Sequence, residues 1–201
     1  MQKPAATEHP VHDLIRTRWS PRAFADEAIA PEVLASLFEA ARWAPSSNNE
    51  QPWTFLVGIK EDAETFNKIL GTLVEFNQGW AKNAAVLVLA VSHLAFAKNG
   101  NPNRTAHYDT GAAVSQLTTE ATARGLFVHQ MAGFDAQKAV EAFGIPVGWD
   151  PIAVLAIGHG GEAENLADGL REREIAARTR KPLSEIAMAG RWGRPAAFLK
   201  K

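Results

Sequence analysis

The chain has 201 residues, 46% of them hydrophobic and 21% charged, with a formal net charge of -1. Such a length suffices for one domain with a core of its own, and the near-neutral balance gives no bulk attraction to nucleic acid or anionic membrane. The absence of cysteine excludes disulfides, thiolate catalysis and cysteine-ligated metals together.

The first ten residues hold no apolar segment of signal-peptide type, and residues 1–10 are expected to be flexible. The longest apolar run, residues 84–91, falls far short of the ~20 residues that span a bilayer. A cytoplasmic protein is therefore expected. Six tryptophans stand against one tyrosine.

In chain order, Val11, Leu14, Ile15 and Arg18 predict a short amphipathic helix ending near Trp19. Pro31 suits a first helical position, and Val33, Leu34, Leu37, Phe38 and Ala41 keep helical spacing up to Pro45. Residues 54–59 read as a strand, weakened by Gly58, and Phe66, Ile69, Leu70 and Leu73 mark a helix. The apolar run 84–91 predicts a central strand covered on both faces. A long Ala-rich helix is expected from about Thr105 to Arg124, capped by Gly125 and suited to close packing, including between subunits. A short strand at 127–129, a helix at 136–143 stopped by Gly144 and a strand at 152–157 follow. No repeat or linker divides the chain, so residues 1–201 are expected to form a single α+β domain.

Two segments carry chemistry. In Arg-Thr-Arg-Trp-Ser-Pro-Arg-Ala-Phe at 16–24, Arg18, Ser20 and Arg22 alternate where Pro21 forbids a mid-helix position. Paired guanidiniums and a hydroxyl suit a phosphate monoester. Taken alone, the segment reads first as a solvated basic helix end. The second, Ala-Pro-Ser-Ser-Asn-Asn-Glu-Gln-Pro-Trp at 44–53, clusters small hydroxyl and amide groups before a strand. Taken alone, it is an ordinary polar loop.

The six histidines show no H-x-x-x-H or H-E-x-x-H spacing, so no metal site is expected, and His129 reads as a structural histidine before a functional one. No Gly-x-Gly-x-x-Gly follows a strand, which leaves a separate Rossmann nicotinamide site unsupported. The charged run 171–181 reads as a solvated helix face.

Together and in this order, Arg-x-Ser-Pro-Arg-x-Phe and Ala-Pro-Ser-Ser-x-Asn-x-Gln-Pro-Trp-x-Phe resemble the FMN-dependent nitroreductase family. The resemblance continues at Asn77 with Trp80, Gly111-Ala112, Met131 to Asp135 and Arg180 to Leu183, covering residues 11–186. It implies a three-layer fold, with a mixed or antiparallel sheet flanked by helices, in an intertwined homodimer. It implies that Arg18, Trp19, Ser20 and Arg22 hold the FMN phosphate, ribityl chain and pyrimidine side, Trp19 mostly through its backbone.

On the same basis Pro45, Ser46, Ser47 and Asn49 reach the flavin of the partner subunit, and Asn77 bonds the pyrimidine edge. Ala132 and Gly133 lie beside flavin N5, where a backbone N–H can bond it, and Arg178 and Arg180 return to the phosphate. Arg171, Glu172, Arg173 and Glu174 keep the solvated reading. The implied activity is two-electron, ping-pong reduction of nitroaromatics, quinones or similar conjugated acceptors, with NADPH or NADH as reductant and no catalytic side chain. A flavin-binding relative that stores or reduces flavin, or supports oxygen chemistry, is the alternative. Trp80 and Ala132 depart from the lysine and the acidic residue that some members carry there. Arg22 is then the group expected to meet negative charge at flavin N1–C2=O.

Overall fold

The computed structural model describes residues 2–199. Its elements are α1 (Asp13–Thr17), α2 (Pro31–Arg42), β1 (Trp53–Ile59), α3 (Ala63–Thr72), α4 (Glu75–Ala81), β2 (Val86–His93), α5 (Ala106–Ala123), β3 (Phe127–Met131), α6 (Ala136–Phe143), β4 (Trp149–Gly158), α7 (Asp168–Ile175) and α8 (Leu183–Ile186). The sheet runs in the order β1-β2-β4-β3, and every neighbouring pair is antiparallel.

Period-two alternation in β2 builds a core on each face. Val86, Val88 and Ala90 pack with Leu34 and Leu37 of α2 and Val114 and Leu117 of α5. Leu87, Leu89 and Val91 pack on the other side with Phe66 and Ile69 of α3, Trp80 of α4 and Ala139 of α6. Because both faces are covered, β2 is apolar from Val86 to Val91 rather than alternating. Fully burying each such leucine stabilises the fold by about 1.5–3 kcal/mol.

Gly58, a poor strand residue, has a packing reason. A β-carbon there would stand 2.6 Å from the backbone of Phe66, so only glycine lets α3 sit this close to β1. Gly144 ends α6 in the left-handed region, at φ 61°, as its position predicts. Sequence periodicity misses α4, whose residues Glu-Phe-Asn-Gln-Gly-Trp-Ala favour no element strongly. Burial of Trp80, at 1% exposure, and a bond from the Gln78 side chain to the Leu73 carbonyl (2.7 Å) hold it in place. Among the described residues, no helix is long and apolar enough to cross a membrane.

Candidate functional site: a basic hollow beside the sheet

The segment 18–24 leaves α1 in an extended path. Arg18, Ser20 and Arg22 are partly exposed, while Trp19, Pro21 and Ala23 are buried, so the backbone sends alternate side chains to opposite sides. The path is fixed by a bridge from Phe24 to Gly160 and by bonds from Ala25 N to the His159 carbonyl (3.0 Å) and from Gly161 N to the Ala23 carbonyl (2.9 Å). Beneath it, Phe24 stacks on buried Trp80 at 6.4 Å, and the Arg22 guanidinium lies 6.0 Å over the same indole.

Two hollows meet at Arg18 and Ser20. One, of 310 Å³, is bounded by α1, α5 and β3 and lined also by Ser115, Thr118 and Gln130. The other, of 220 Å³, is lined by Trp19, Arg22, Arg178 and Arg180, joined by Lys3 and Glu174. Burial is the first cause that lowers the pKa values of Lys3, Arg18, Arg22 and Arg178. Cationic neighbours push the same way, as Arg180 does on Arg18 and Arg22 on Lys3. An anion entering here relieves both effects. A larger hollow of 590 Å³ between Ser184 and Leu199 has mainly small and apolar walls, with Ser184 and Arg194 its polar side chains, and gathers no such cluster.

Among the described residues, the buried side-chain donors without a hydrogen-bond partner include Trp19 Nε1, Arg22 Nε and Trp80 Nε1. Each costs about 1–3 kcal/mol unless an acceptor meets it. Three such donors in or against one cationic segment fit a ligand that joins a phosphate to a ring rich in acceptor atoms.

At the end of β3, Val74 N donates to the Gly133 carbonyl (3.0 Å) and Asn77 Nδ2 donates to the same oxygen (3.0 Å). Ala132 is exposed beside it. Asn77 thus spends one amide donor within the chain.

The loop after α2 is held in a rarely populated backbone. Asn48, Asn49 and Gln51 have φ of 54°, 56° and 52°, a region disfavoured for any residue with a β-carbon and least so for asparagine. The Ser46 hydroxyl accepts from Gln51 N (2.9 Å), Asp109 of α5 accepts from Ser47 N (3.0 Å), and Glu50 accepts from Ala97 N (2.7 Å). The last contact joins this loop to the 94–105 segment, beside which Tyr108 is 80% exposed. None of residues 45–49 lines either hollow at Arg18. Within one chain the two motifs are therefore not brought together.

Several expectations change. Glu174, read as solvated, is 1% exposed, and its carboxylate accepts from Arg22 N (2.9 and 3.0 Å) and Ala23 N (3.1 Å). Arg173 also lines the basic hollow, with its guanidinium 5.3 Å from the Phe76 ring centre. Arg178 donates to the carbonyls of Lys3 (2.7 Å) and Arg16 (3.2 Å), so it clamps the first residues while it lines the hollow. Ala5 N, bonded to the Arg16 carbonyl (2.8 Å), adds a second tie to a stretch expected to be flexible. The Trp19 indole is buried edge-on to Phe127 at 6.0 Å. Arg180 is exposed and donates to the Thr179 carbonyl (2.7 Å).

His129 bonds the Pro21 carbonyl through Nδ1 (2.9 Å), and a carbonyl only accepts, so Nδ1 carries the proton. Burial, with Arg22 nearby, lowers its pKa to about 4 against the pull of that bond. His129 is a neutral prop for the arginine segment. No group of His, Asp and Glu among the described residues could hold a metal ion.

The fold and site define an α+β protein with a cationic, donor-rich hollow at the edge of an antiparallel sheet, suited to a phosphorylated ring ligand. Residues 15–159 match the nitroreductase family model, and the chain belongs to the nitroreductase family. It is similar to a crystal structure described as an oxidoreductase containing FMN, with a TM-score of 0.87, 38% identity, and coverage of 92% of this chain and 94% of that one. A 15.4 kDa Mycolicibacterium smegmatis protein, named as uncharacterised, is 42% identical over 66% of this chain and 87% of its own length. A Streptomyces coelicolor protein provisionally named an NADH dehydrogenase/NAD(P)H nitroreductase is 30% identical over 72% of this chain and 78% of its own.

Proposed function

We propose that this chain is an FMN-dependent oxidoreductase that uses NAD(P)H to reduce nitroaromatics, quinones or similar conjugated acceptors. The observation that carries the reading is the pair of unpartnered buried donors Trp19 Nε1 and Arg22 Nε on residues lining a hollow crowded with cations, with a third, Trp80 Nε1, on the indole beneath Arg22. The 38% identical oxidoreductase containing FMN supports the cofactor, and the Streptomyces relative's name supports the reductant. When bound, FMN supplies two-electron redox chemistry between the nicotinamide and the acceptor.

The chain's own residues bind and orient. Arg18, Arg178 and Arg180 would neutralise the phosphate, with paired guanidinium donors matching its oxygens, and the Ser20 hydroxyl would donate to it. Arg22, backed by Trp80, offers positive charge to the pyrimidine side. Asn77 fixes the Gly133 segment, so that the backbone N–H groups of Ala132 and Gly133 stand ready at the reacting edge. On this reading the Pro45–Asn49 loop serves a second copy of the chain in a homodimer, which its separation from both hollows of its own chain supports.

Purified protein should show the visible bands of flavin and release FMN on denaturation. NADPH or NADH should bleach those bands without oxygen, and a nitroarene or quinone should restore them. A protein that is colourless and cannot be reconstituted with FMN overturns the reading. Free release of reduced FMN would instead favour the flavin-reductase role.

A further inference from the structure

The proposed function leaves a buried carboxylate at the basic hollow without a role. Glu174 lies in α7, beyond the span matched to the family, and contributes the one carboxylate among the residues lining the smaller hollow. Its Oε1 accepts from the backbone N–H groups of both Arg22 (2.9 Å) and Ala23 (3.1 Å), and its Oε2 accepts from Arg22 (3.0 Å). Its own carbonyl accepts from the Lys3 ammonium, which also stands 4.8 Å from the Trp19 ring centre. Residue 174 therefore ties three stretches of chain together at the hollow: the first residues, the arginine segment and the C-terminal arm.

Nothing about folding alone demands a carboxylate in this position. Two backbone N–H groups are satisfied by any neutral acceptor, and burying a charge is expensive. What distinguishes a carboxylate is its negative charge among Lys3, Arg18, Arg22, Arg173, Arg178 and Arg180.

We propose that Glu174 is a positioning residue for the cofactor: its side chain fixes the Arg22–Ala23 backbone, aiming the Arg22 guanidinium into the hollow, while its charge offsets part of the positive field that the flavin meets. This rests on the FMN reading above, and the two parts of the role respond to different substitutions. Glu174→Gln keeps an oxygen at the Oε1 position and removes the charge. Glu174→Ala removes both.

The experiment titrates FMN into wild type, Glu174→Gln and Glu174→Ala, following flavin fluorescence, and measures the midpoint potential of each bound flavin. Folding of each apoprotein is checked by thermal melting. Glu174→Ala should bind FMN about tenfold or more weakly, since it loses bonds to two buried N–H groups. Glu174→Gln should stay within about threefold of wild type. Its midpoint potential should move positive, because reduced flavin gains negative charge and an opposing anion has gone.

Wild-type affinity in folded Glu174→Ala overturns the proposal, as does an unmoved potential in Glu174→Gln. If Glu174→Ala does not fold, the affinity and potential of Glu174→Gln decide by themselves. A wild type that takes up no FMN overturns the functional reading and this inference together. Uptake by wild type with no difference among the variants removes this inference alone.

Discussion

Asn77 and Gly133 hold each other in place: the Asn77 amide donates to the Gly133 carbonyl at 3.0 Å, and the same nitrogen stands 2.6 Å from where a β-carbon on residue 133 would lie. The contact closes only because residue 133 has no side chain. It sets the end of β3, where the proposed site needs exposed backbone N–H groups at residues 132 and 133.

Gly133→Ala should therefore push Asn77 aside and break its bond. That loss is worth about 1 kcal/mol, or about 2–4 °C in melting temperature for a chain of this size. Asn77→Ala should cost a similar amount. The double variant should be less destabilised than the sum of the two, because truncating Asn77 removes the amide that a β-carbon at 133 would strike. Melting curves of the four proteins check this, and strict additivity would mean the two residues are not coupled.

A second prediction concerns the loop after α2. Asp109 is 4% exposed and joins Ser47 N (3.0 Å) to the Thr105 hydroxyl (3.0 Å) across the start of α5. Three consecutive or near-consecutive residues in left-handed backbone cost energy that such anchors must offset. Asp109→Ala should lower stability by about 1–3 kcal/mol and speed limited proteolysis within residues 44–51. Asp109→Asn, which keeps one acceptor oxygen, should fall between. Unchanged cleavage in a folded Asp109→Ala protein would show that the loop holds its shape without α5.

The third prediction follows from His129. Its folded pKa, lowered to about 4 chiefly by burial, lies below the ordinary value of 6.5. The unfolded chain thus binds the proton more readily, and stability falls as pH falls. The contribution of the neutral imidazole is complete above pH 6.5 and is lost progressively down to about pH 4. At about 1.36 kcal/mol per pKa unit this amounts to about 3 kcal/mol at most. His129→Gln keeps a donor for the Pro21 carbonyl and cannot titrate in this range. Denaturant unfolding at several pH values should show a steeper acid decline in wild type than in His129→Gln, and parallel curves would assign the decline to other groups.

Local rules made much of this fold legible. Pro31 and Gly144 bound their helices where their backbone preferences place them, and the apolar run at 84–91 announces a strand covered twice. The alternation of Arg18, Ser20 and Arg22 survives as an alternation of exposure. Tertiary contacts supplied the rest. Strand β3 runs past His129 because Gln130 and Met131 pair with Leu155 and Val154. Glu174 was illegible for a deeper reason: within Arg-Glu-Arg-Glu its type and spacing match a solvated helix, and its partners are main-chain N–H groups that almost any residue offers. A carboxylate's distant backbone partners leave no mark in sequence pattern, whereas a periodic apolar face does.

The fourth prediction asks which chain each half of the site serves. Arg18 and Ser20 line both hollows of the basic site, while Pro45 to Asn49 line neither and are bound to the first turn of α5. On the proposed reading, a complete site takes its arginines from one copy and its loop from another. Consider a chain carrying Ser46→Ala and Asn49→Ala mixed with one carrying Arg18→Ala and Arg22→Ala. In a heterodimer the first chain still offers its arginines and the second still offers its loop, so one of the two sites is restored. If each site were built within one chain, both would remain damaged. Separately tagged chains, co-expressed and purified through both tags, allow FMN content and NAD(P)H-dependent reduction to be measured on the heterodimer alone. Each homodimer should bind FMN poorly, and the heterodimer should recover close to half the wild-type flavin. Confirmed heterodimers that recover nothing would place the loop in its own chain's site.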